Sequence, residues 1–311
     1  MNCDKRIVVT GAAGFIGFHL SKKLLDLDYH ILGIDNLNDY YDPELKLARL
    51  AILKKYPNFT FEKLDICDFN ALKTCICNSS SYKTIIHLAA QAGVRYSLEN
   101  PWTYIQNNIL GHLNILEVCR GIKDFRKLIY ASSSSVYGQQ SSNNGSNNGS
   151  VNGSNDGSNN GSNSGSNGSN NGYSINDRVD SPVSLYAATK KADELMSFTY
   201  SHLYGINAIG LRFFTVVGPL GRPDMAPMLF TKKILAGEPI NVFNYGNLMR
   251  DFTYVGDIVD GIVGVLNLST DKEKGVHKIY NLGNHKSVKL LDFIEILEKH
   301  IGKKSDKIML P

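Results

Sequence analysis

Long apolar runs are missing from this chain of 311 residues. No stretch approaches the roughly 20 apolar residues that a membrane-spanning helix needs. No apolar leader core precedes the first β-branched run, Ile7-Val8-Val9. A membrane partner is therefore not expected, and the chain reads as cytoplasmic. Charge of one sign is also scarce. Lys plus Arg number 33 and Asp plus Glu 29, a net charge of +4, and the cations are scattered rather than striped. Nucleic acid is not an expected partner. Cysteine is sparse and odd in number, 5 in all. Cys3, Cys67, Cys75, Cys77 and Cys119 follow no disulfide or zinc spacing. Cys75-Ile76-Cys77 has no distant second pair, so no metal is expected, and reduced thiols fit a cytosolic chain.

A hydrophobic content of 42% with 20% charged residues fits a globular protein. Short β-branched runs alternate with longer amphipathic ones. The expected strands are Arg6–Thr10, His30–Asp35, Thr60–Leu64, Thr84–Leu88 and Lys127–Ala131. The expected helices lie near Ile16–Leu27, Pro43–Lys55, Phe69–Cys77 and Trp102–Arg120. A helix over Leu185–Leu203 and a strand over Ala208–Phe213 follow. This alternation predicts an α/β fold, a Rossmann-type doubly wound parallel sheet with a smaller C-terminal α/β lobe. The expected division is a dinucleotide-binding domain over 1–213 and a substrate lobe over 214–311. Residues 139–172 interrupt the first domain. They hold Gln, Ser, Asn and Gly apart from Val151 and Asp156. Such a run has almost no apolar surface to offset chain entropy, and a disordered surface loop is expected.

"TGAAGFIG" places Gly11, Gly14 and Gly17 directly after a strand and at a helix start. The first glycine allows the tight turn, the second lets backbone approach a pyrophosphate, and the third lets helix pack on strand. The helix N-terminus offers unpaired N–H groups to phosphate. Phe15 and Ile16 lie within the turn. The second strand ends in Asp35, followed by Asn36. A carboxylate there accepts from a ribose 2′-hydroxyl and repels a 2′-phosphate, which favours NAD over NADP. Asp65 and Ile66, after the third strand, suit the adenine end. Leu88, Ala89 and Ala90, in the small-residue turn after the fourth strand, let the chain run close to the cofactor. His87 reads as a packed residue rather than a catalyst.

The fifth strand runs into "YASSSSVYG", with serines at 132–135. Ligands bind at the carboxyl ends of parallel strands. Ser133, Ser134 and Ser135 there offer hydroxyls and N–H groups to a sugar. Downstream, Tyr186 and Lys190 are four apart, so they share a helix face. Tyrosine is a poor base at neutral pH, and a lysine charge one turn away favours the phenolate. A Tyr-Lys pair is common by chance. After a dinucleotide turn and a serine-lined strand end, it reads as a proton-transfer site.

These motifs resemble the extended short-chain dehydrogenase/reductases, in "TGAAGFIG", "HLAA", "SSSVYG" and "YAATK". The longer runs "HLAAQAGVRYSLENPWTYIQNNILGHLNILE", "DRVDSPVSLYAATKKADELM" and "GLRFFTVVGPLGRPDMAPMLFTKKILAGEPINVFNYGN" resemble the UDP-glucuronate 4-epimerase branch. So does "RDFTYVGDIVDGIV". The resemblance covers the chain except the insertion and implies tightly held NAD and a UDP-sugar substrate. It implies Tyr186 as base, Lys190 on the nicotinamide ribose, and Ser133 on the sugar O4. Ser134 and Ser135 take the positions that contact the hexuronate carboxylate, and Asn108 lies on the nicotinamide side. Thr215 stands where galactose-type epimerases have asparagine. Arg222 and Arg250 match arginines on the diphosphate. Asn241, Val242 and Phe243 match a strand beside uracil. A homodimer through the helices around Trp102–Arg120 and Leu185–Leu203 is implied.

The chain departs from the family pattern in several places. Val217 and Leu220 replace aromatics, Gly256 replaces an Asp, and the insertion replaces a short connection. The chain stops at "KIMLP", where related proteins continue into a Pro-Gly-Asp segment. Weaker UDP binding is expected from that difference. Three further readings stay open: a UDP-glucose/galactose 4-epimerase, a UDP-glucuronate decarboxylase and a non-catalytic NAD-binding scaffold. The decarboxylases carry Glu at the Ser135 position, and the 4,6-dehydratases carry Asp-Glu at Ser134–Ser135. Both differences favour glucuronate epimerisation.

Overall fold

The computed structural model describes residues 5–77, 82–138, 172–269, 274–284 and 286–311. Cys3 and the expected loop, but for Gly172, lie outside the described residues. The first half alternates as Arg6–Thr10 (β1), Phe15–Asp26 (α1), His30–Asp35 (β2), Pro43–Leu53 (α2), Phe59–Lys63 (β3), Phe69–Cys77 (α3) and Thr84–His87 (β4). Then come Tyr96–Glu99 (α4), Pro101–Tyr104 (α5), Gly111–Gly121 (α6), Lys127–Ser133 (β5), Leu185–Tyr204 (α7) and Ala208–Phe213 (β6).

The remainder is built from smaller pieces. These are Thr215–Val217 (β7), Ala226–Ala236 (α8), Ile240–Val242 (β8), Met249–Arg250 (β9), Phe252–Tyr254 (β10) and Val255–Asn267 (α9). His277–Leu282 (β11), Val288–Lys289 (β12), Leu290–Ile301 (α10) and Lys307–Met309 (β13) complete the described elements.

The main sheet has seven strands in the order β11-β6-β5-β4-β1-β2-β3. Every pairing in it is parallel. The order reverses between β1 and β4, and the crevice above that switch point is where such sheets hold ligands. Both faces are covered, so β1 reads as an unbroken apolar run. Its alternate residues enter different cores. Ile7 and Val9 join the cluster beneath α1 and α9. Val8 joins the cluster beneath α3 and α6. Buried strand residues such as these each contribute roughly 1.5–3 kcal/mol of transfer free energy.

Two expectations change here. The seventh strand, β11, comes from the region assigned to the substrate lobe, and pairs with β6 from His277–Ala208 to Leu282–Phe213. Helix α9 also belongs to the sheet's flank, where Ile258, Val259 and Ile262 share the core of α1. The chain returns to finish the first domain, so a cut at 213/214 does not follow the packing. The lobe proper is α8, β8, β13 and α10, around Ile234, Ile240, Val242, Leu290 and Ile294. Second, the helix expected over Trp102–Arg120 is broken. Pro101 opens α5, and a π-helical turn over Ile105–Leu110 precedes α6. Such wide turns are frequent at functional sites.

Among the described residues no helix is long and apolar enough to cross a membrane.

Candidate active site

A cavity of about 300 Å³ lies above the switch point, at the carboxyl ends of β1, β2, β4, β5 and β6. Its floor is the turn from β1 into α1, where Gly11, Gly14, Phe15, Ile16 and Gly17 line the wall. Gly11 has φ +71°, and a Cβ there would stand 2.8 Å from Ala89 N. A Cβ on Gly17 would stand 2.0 Å from the Gly11 carbonyl oxygen. Neither position admits a side chain, and the bare backbone leaves room for a phosphate against the start of α1.

Asp35 and Asn36 line the same cavity at the end of β2. Asp35 accepts from Ala13 N at 3.2 Å and Leu37 N at 2.9 Å. The buried Lys46 ammonium stands 3.8 Å from it. Ile66, Leu88, Ala89 and Ala90 complete this half. The cradle and the carboxylate together fit an adenine dinucleotide with a free 2′-hydroxyl. Asp65 stands behind the wall, where it accepts from the Asn36 amide at 2.9 Å.

Helix α7 brings the Tyr-Lys pair to the opposite wall. Ser184 caps it, accepting from Ala187 N at 3.1 Å. Tyr186, one residue into the helix, and Lys190 both line the cavity. Lys190 is buried and held from two sides. Its Nζ donates to the Ala131 carbonyl at 2.9 Å and to Asp193 Oδ2 at 3.0 Å. An ammonium has three donors, so one is left for the cavity. Tyr104 packs edge-on to Tyr186, ring centroids 6.0 Å apart.

The serine run separates into two roles. Ser132 also lines the cavity, but its hydroxyl donates to the buried Glu194 at 2.7 Å. Glu194 also takes two hydrogen bonds from Arg212, at 2.8 and 2.9 Å. Ser133, Ser134 and Ser135 face the cavity. The Ser135 hydroxyl and N–H donate to Ser133 Oγ at 2.9 and 3.2 Å. Strand β5 runs two residues further than expected and carries Ser133 to the site.

Thr215 and Arg222 close the far side. Arg222 Nε donates to Asp224 Oδ1 at 3.0 Å. The Tyr40 hydroxyl donates to Asp224 Oδ2, also at 3.0 Å. Burial works to raise the Asp224 carboxyl, but the Arg222 charge and these hydrogen bonds hold it below its usual range. Burial and the Asp224 charge push the Tyr40 phenol up to about 12. Tyr40 and Asp224 thus tie the loop after β2 to the loop that carries Arg222.

Other expected residues stand back from the wall. Asn108 is buried in the π-helical turn, and its amide is spent on Gln91 and Thr189. Its neighbour Asn107 lines the cavity instead. Val242 belongs to the lobe's core, while Asn241 is exposed on β8. Phe243 lies under the Arg95 guanidinium, 5.0 Å from the ring centroid. Arg250 is half-buried. Burial lowers its guanidinium from the usual range, and the nearby Arg95 charge adds to this. His87 is packed, as expected. It bonds Thr10 Oγ1 at 2.7 Å, and burial pushes its imidazole down to about 3.

Several wall residues had no reading in the sequence, among them Tyr40, Tyr41 and Lys46. Arg49 lies behind them, fully buried, and donates to Ala13 O and Tyr41 Oη at 2.8 and 2.7 Å. The signal was the stretch "NDYYDPELKLARL". Lys46 and Arg49 are three apart on the buried side of α2. A buried cation demands partners nearby.

The pattern of the NAD dependent epimerase/dehydratase family matches residues 7–283. A protein of Methanocaldococcus jannaschii is 51% identical over 99% of this chain and 84% of its own length. UDP-glucuronate 4-epimerase 4 of Arabidopsis thaliana is 41% identical, covering 98% of this chain and 65% of that one. Among solved structures, UDP-glucuronic acid 4-epimerase from Bacillus cereus, in complex with UDP-glucuronic acid and NAD, superposes with a TM-score of 0.81. It is 33% identical and the match covers 98% of this chain and 86% of that chain.

Proposed function

The chain belongs to the NAD dependent epimerase/dehydratase family, and on that premise we propose that it epimerises UDP-glucuronate at C4 to give UDP-galacturonate. Bound NAD supplies a two-electron acceptor beside C4 and gives the same equivalents back. Tyr186 takes the proton from O4 and returns it when the 4-keto sugar has turned its other face. The Lys190 charge favours the phenolate that this requires. Ser133, Ser134 and Ser135 offer hydroxyls and N–H groups to the sugar and its carboxylate. Arg222, with Asp224 behind it, faces the anionic part of the substrate. Asn241, Phe243 and Arg250 form the approach for the uridine diphosphate.

The observation that carries the reading is the Ser133–Ser135 wall beside Tyr186. A 4-keto glucuronate is a β-keto acid and tends to lose CO₂. Donors that hold its carboxylate out of line with the carbonyl π system oppose that loss. A carboxylate at Ser134 or Ser135 would repel the same group. The named relatives in Arabidopsis thaliana and Bacillus cereus support the choice of sugar. The test is turnover of UDP-glucuronate against UDP-glucose, with NAD present. A large preference for UDP-glucuronate is expected, and equal rates would remove the basis for this assignment.

The same reading includes a homodimer. Trp102 is 76% exposed, Leu98 66%, Phe198 58% and Leu195 56%, on α4, α5 and α7. Apolar side chains so placed need cover. Sedimentation at micromolar concentration tests this. The parent should run as a dimer and Trp102→Glu as a monomer. A monomeric parent would refute it.

A further inference from the structure

Behind Lys190 lies a carboxylate that the proposed chemistry does not use. Asp193 is 1% exposed, and its Oδ2 takes the 3.0 Å bond from Lys190. Its other oxygen, Oδ1, is buried without a hydrogen-bond partner among the described residues. Leaving an acceptor unpaired in the interior costs free energy. Here one is left bare, one helical turn beyond the group that serves Tyr186.

The groups around Asp193 determine what its charge does. On α7 itself these are Lys190 and Glu194. Tyr130 from β5 feels the Asp193 charge, and His112 from α6 adjoins it. His87 from β4 feels the Lys190 charge and packs on His112, ring centroids 5.3 Å apart. Burial holds both imidazoles neutral near pH 7. The Glu194 charge is matched by Arg212 of β6, through two hydrogen bonds. Among these groups, Lys190 is the cation that answers Asp193.

We propose that Asp193 is a positioning residue whose buried carboxylate draws on the Lys190 charge and so sets how strongly Lys190 favours the Tyr186 phenolate. The proposal rests on the reading of Tyr186 and Lys190 given above. Ionised Asp193 compensates the ammonium and weakens its field at the phenol. Protonated Asp193 leaves the full charge to the cavity. Burial pushes the Asp193 carboxyl above its usual range, against the opposite pull of Lys190.

The test uses the NAD-loaded full chain and its Asp193→Asn and Asp193→Ala variants. Tyrosinate absorbance is titrated against pH for each, and the curve of its Tyr186→Phe counterpart is subtracted. In both neutral variants the Tyr186 transition should lie about one pH unit below the parent, as removal of a nearby like charge requires. The acid limb of UDP-glucuronate turnover should move the same way. An unchanged transition in both variants overturns the proposal. So does a shift in Asp193→Ala alone, which would mark the lost hydrogen bond rather than the charge. A parent without turnover would count against the proposed function, and the absorbance titration would still decide the role of Asp193.

Discussion

One half of the cavity is formed by the ends of β1, β2 and β5, strands of 5, 6 and 7 residues. The other half rests on β7, a strand of 3 residues, and on the loops that carry Tyr40 and Arg222. The first half is held by backbone. Gly11 and Gly17 sit where any Cβ would strike the chain itself. The second is held by side chains that meet across long separations. Tyr40 and Asp224, 184 residues apart, are joined by one hydrogen bond. The first half is therefore formed as the sheet forms, whereas the second depends on ion pairs and hydrogen bonds that single substitutions remove.

That difference is open to direct attack. The largest effect should come from Tyr186→Phe, which removes the proposed base and leaves both halves standing. General-base loss costs about 10²–10⁴ in rate. NAD affinity should be unchanged, and near-parental turnover would mean that the proton leaves by another route. Arg222→Met should separate the halves. It deletes the proposed charge-assisted contact to the diphosphate, worth about 1.5–3 kcal/mol, roughly ten- to a hundredfold in affinity. Calorimetry should find UDP-glucuronate binding weakened by that factor and NAD binding unaltered. Equal losses for both ligands would show that the halves are not independent.

A smaller effect concerns pH. The folded state holds His87 at about 3, below the 6.5 of a free histidine. The unfolded chain therefore takes up the proton first as pH falls. The stability this histidine confers is present above pH 6.5 and is lost toward pH 3. The slope is at most about 1.4 kcal/mol per pH unit for one group. The melting temperature should fall over that window, and less steeply in His87→Asn. Parallel curves for parent and variant would assign the acid sensitivity to other groups.

The same contrast explains which parts were legible in the sequence. The glycine turn, Asp35, the small residues after β4 and the Tyr186–Lys190 pair are local patterns. Each is set by a neighbouring strand end or helix turn. The buried position of Asn108 was not legible, since it lies in a π-helical turn where Asn107 takes the wall. Nor was the burial of Val242, since alternation on a three-residue strand does not reveal which face is core. β11 was not anticipated, since a strand that returns to the far edge of a sheet carries no mark of its partner. Lys46, Arg49 and Asp193 were legible only as charges on helix faces. Their meaning came from what those faces are buried against.

The most direct test of the account is to incubate the NAD-loaded chain with UDP-glucuronate and follow the sugar by proton NMR. Interconversion with UDP-galacturonate, with the carboxylate retained, is the predicted result. Release of CO₂ with formation of a UDP-pentose, or an unchanged spectrum where NAD is demonstrably bound, would contradict it.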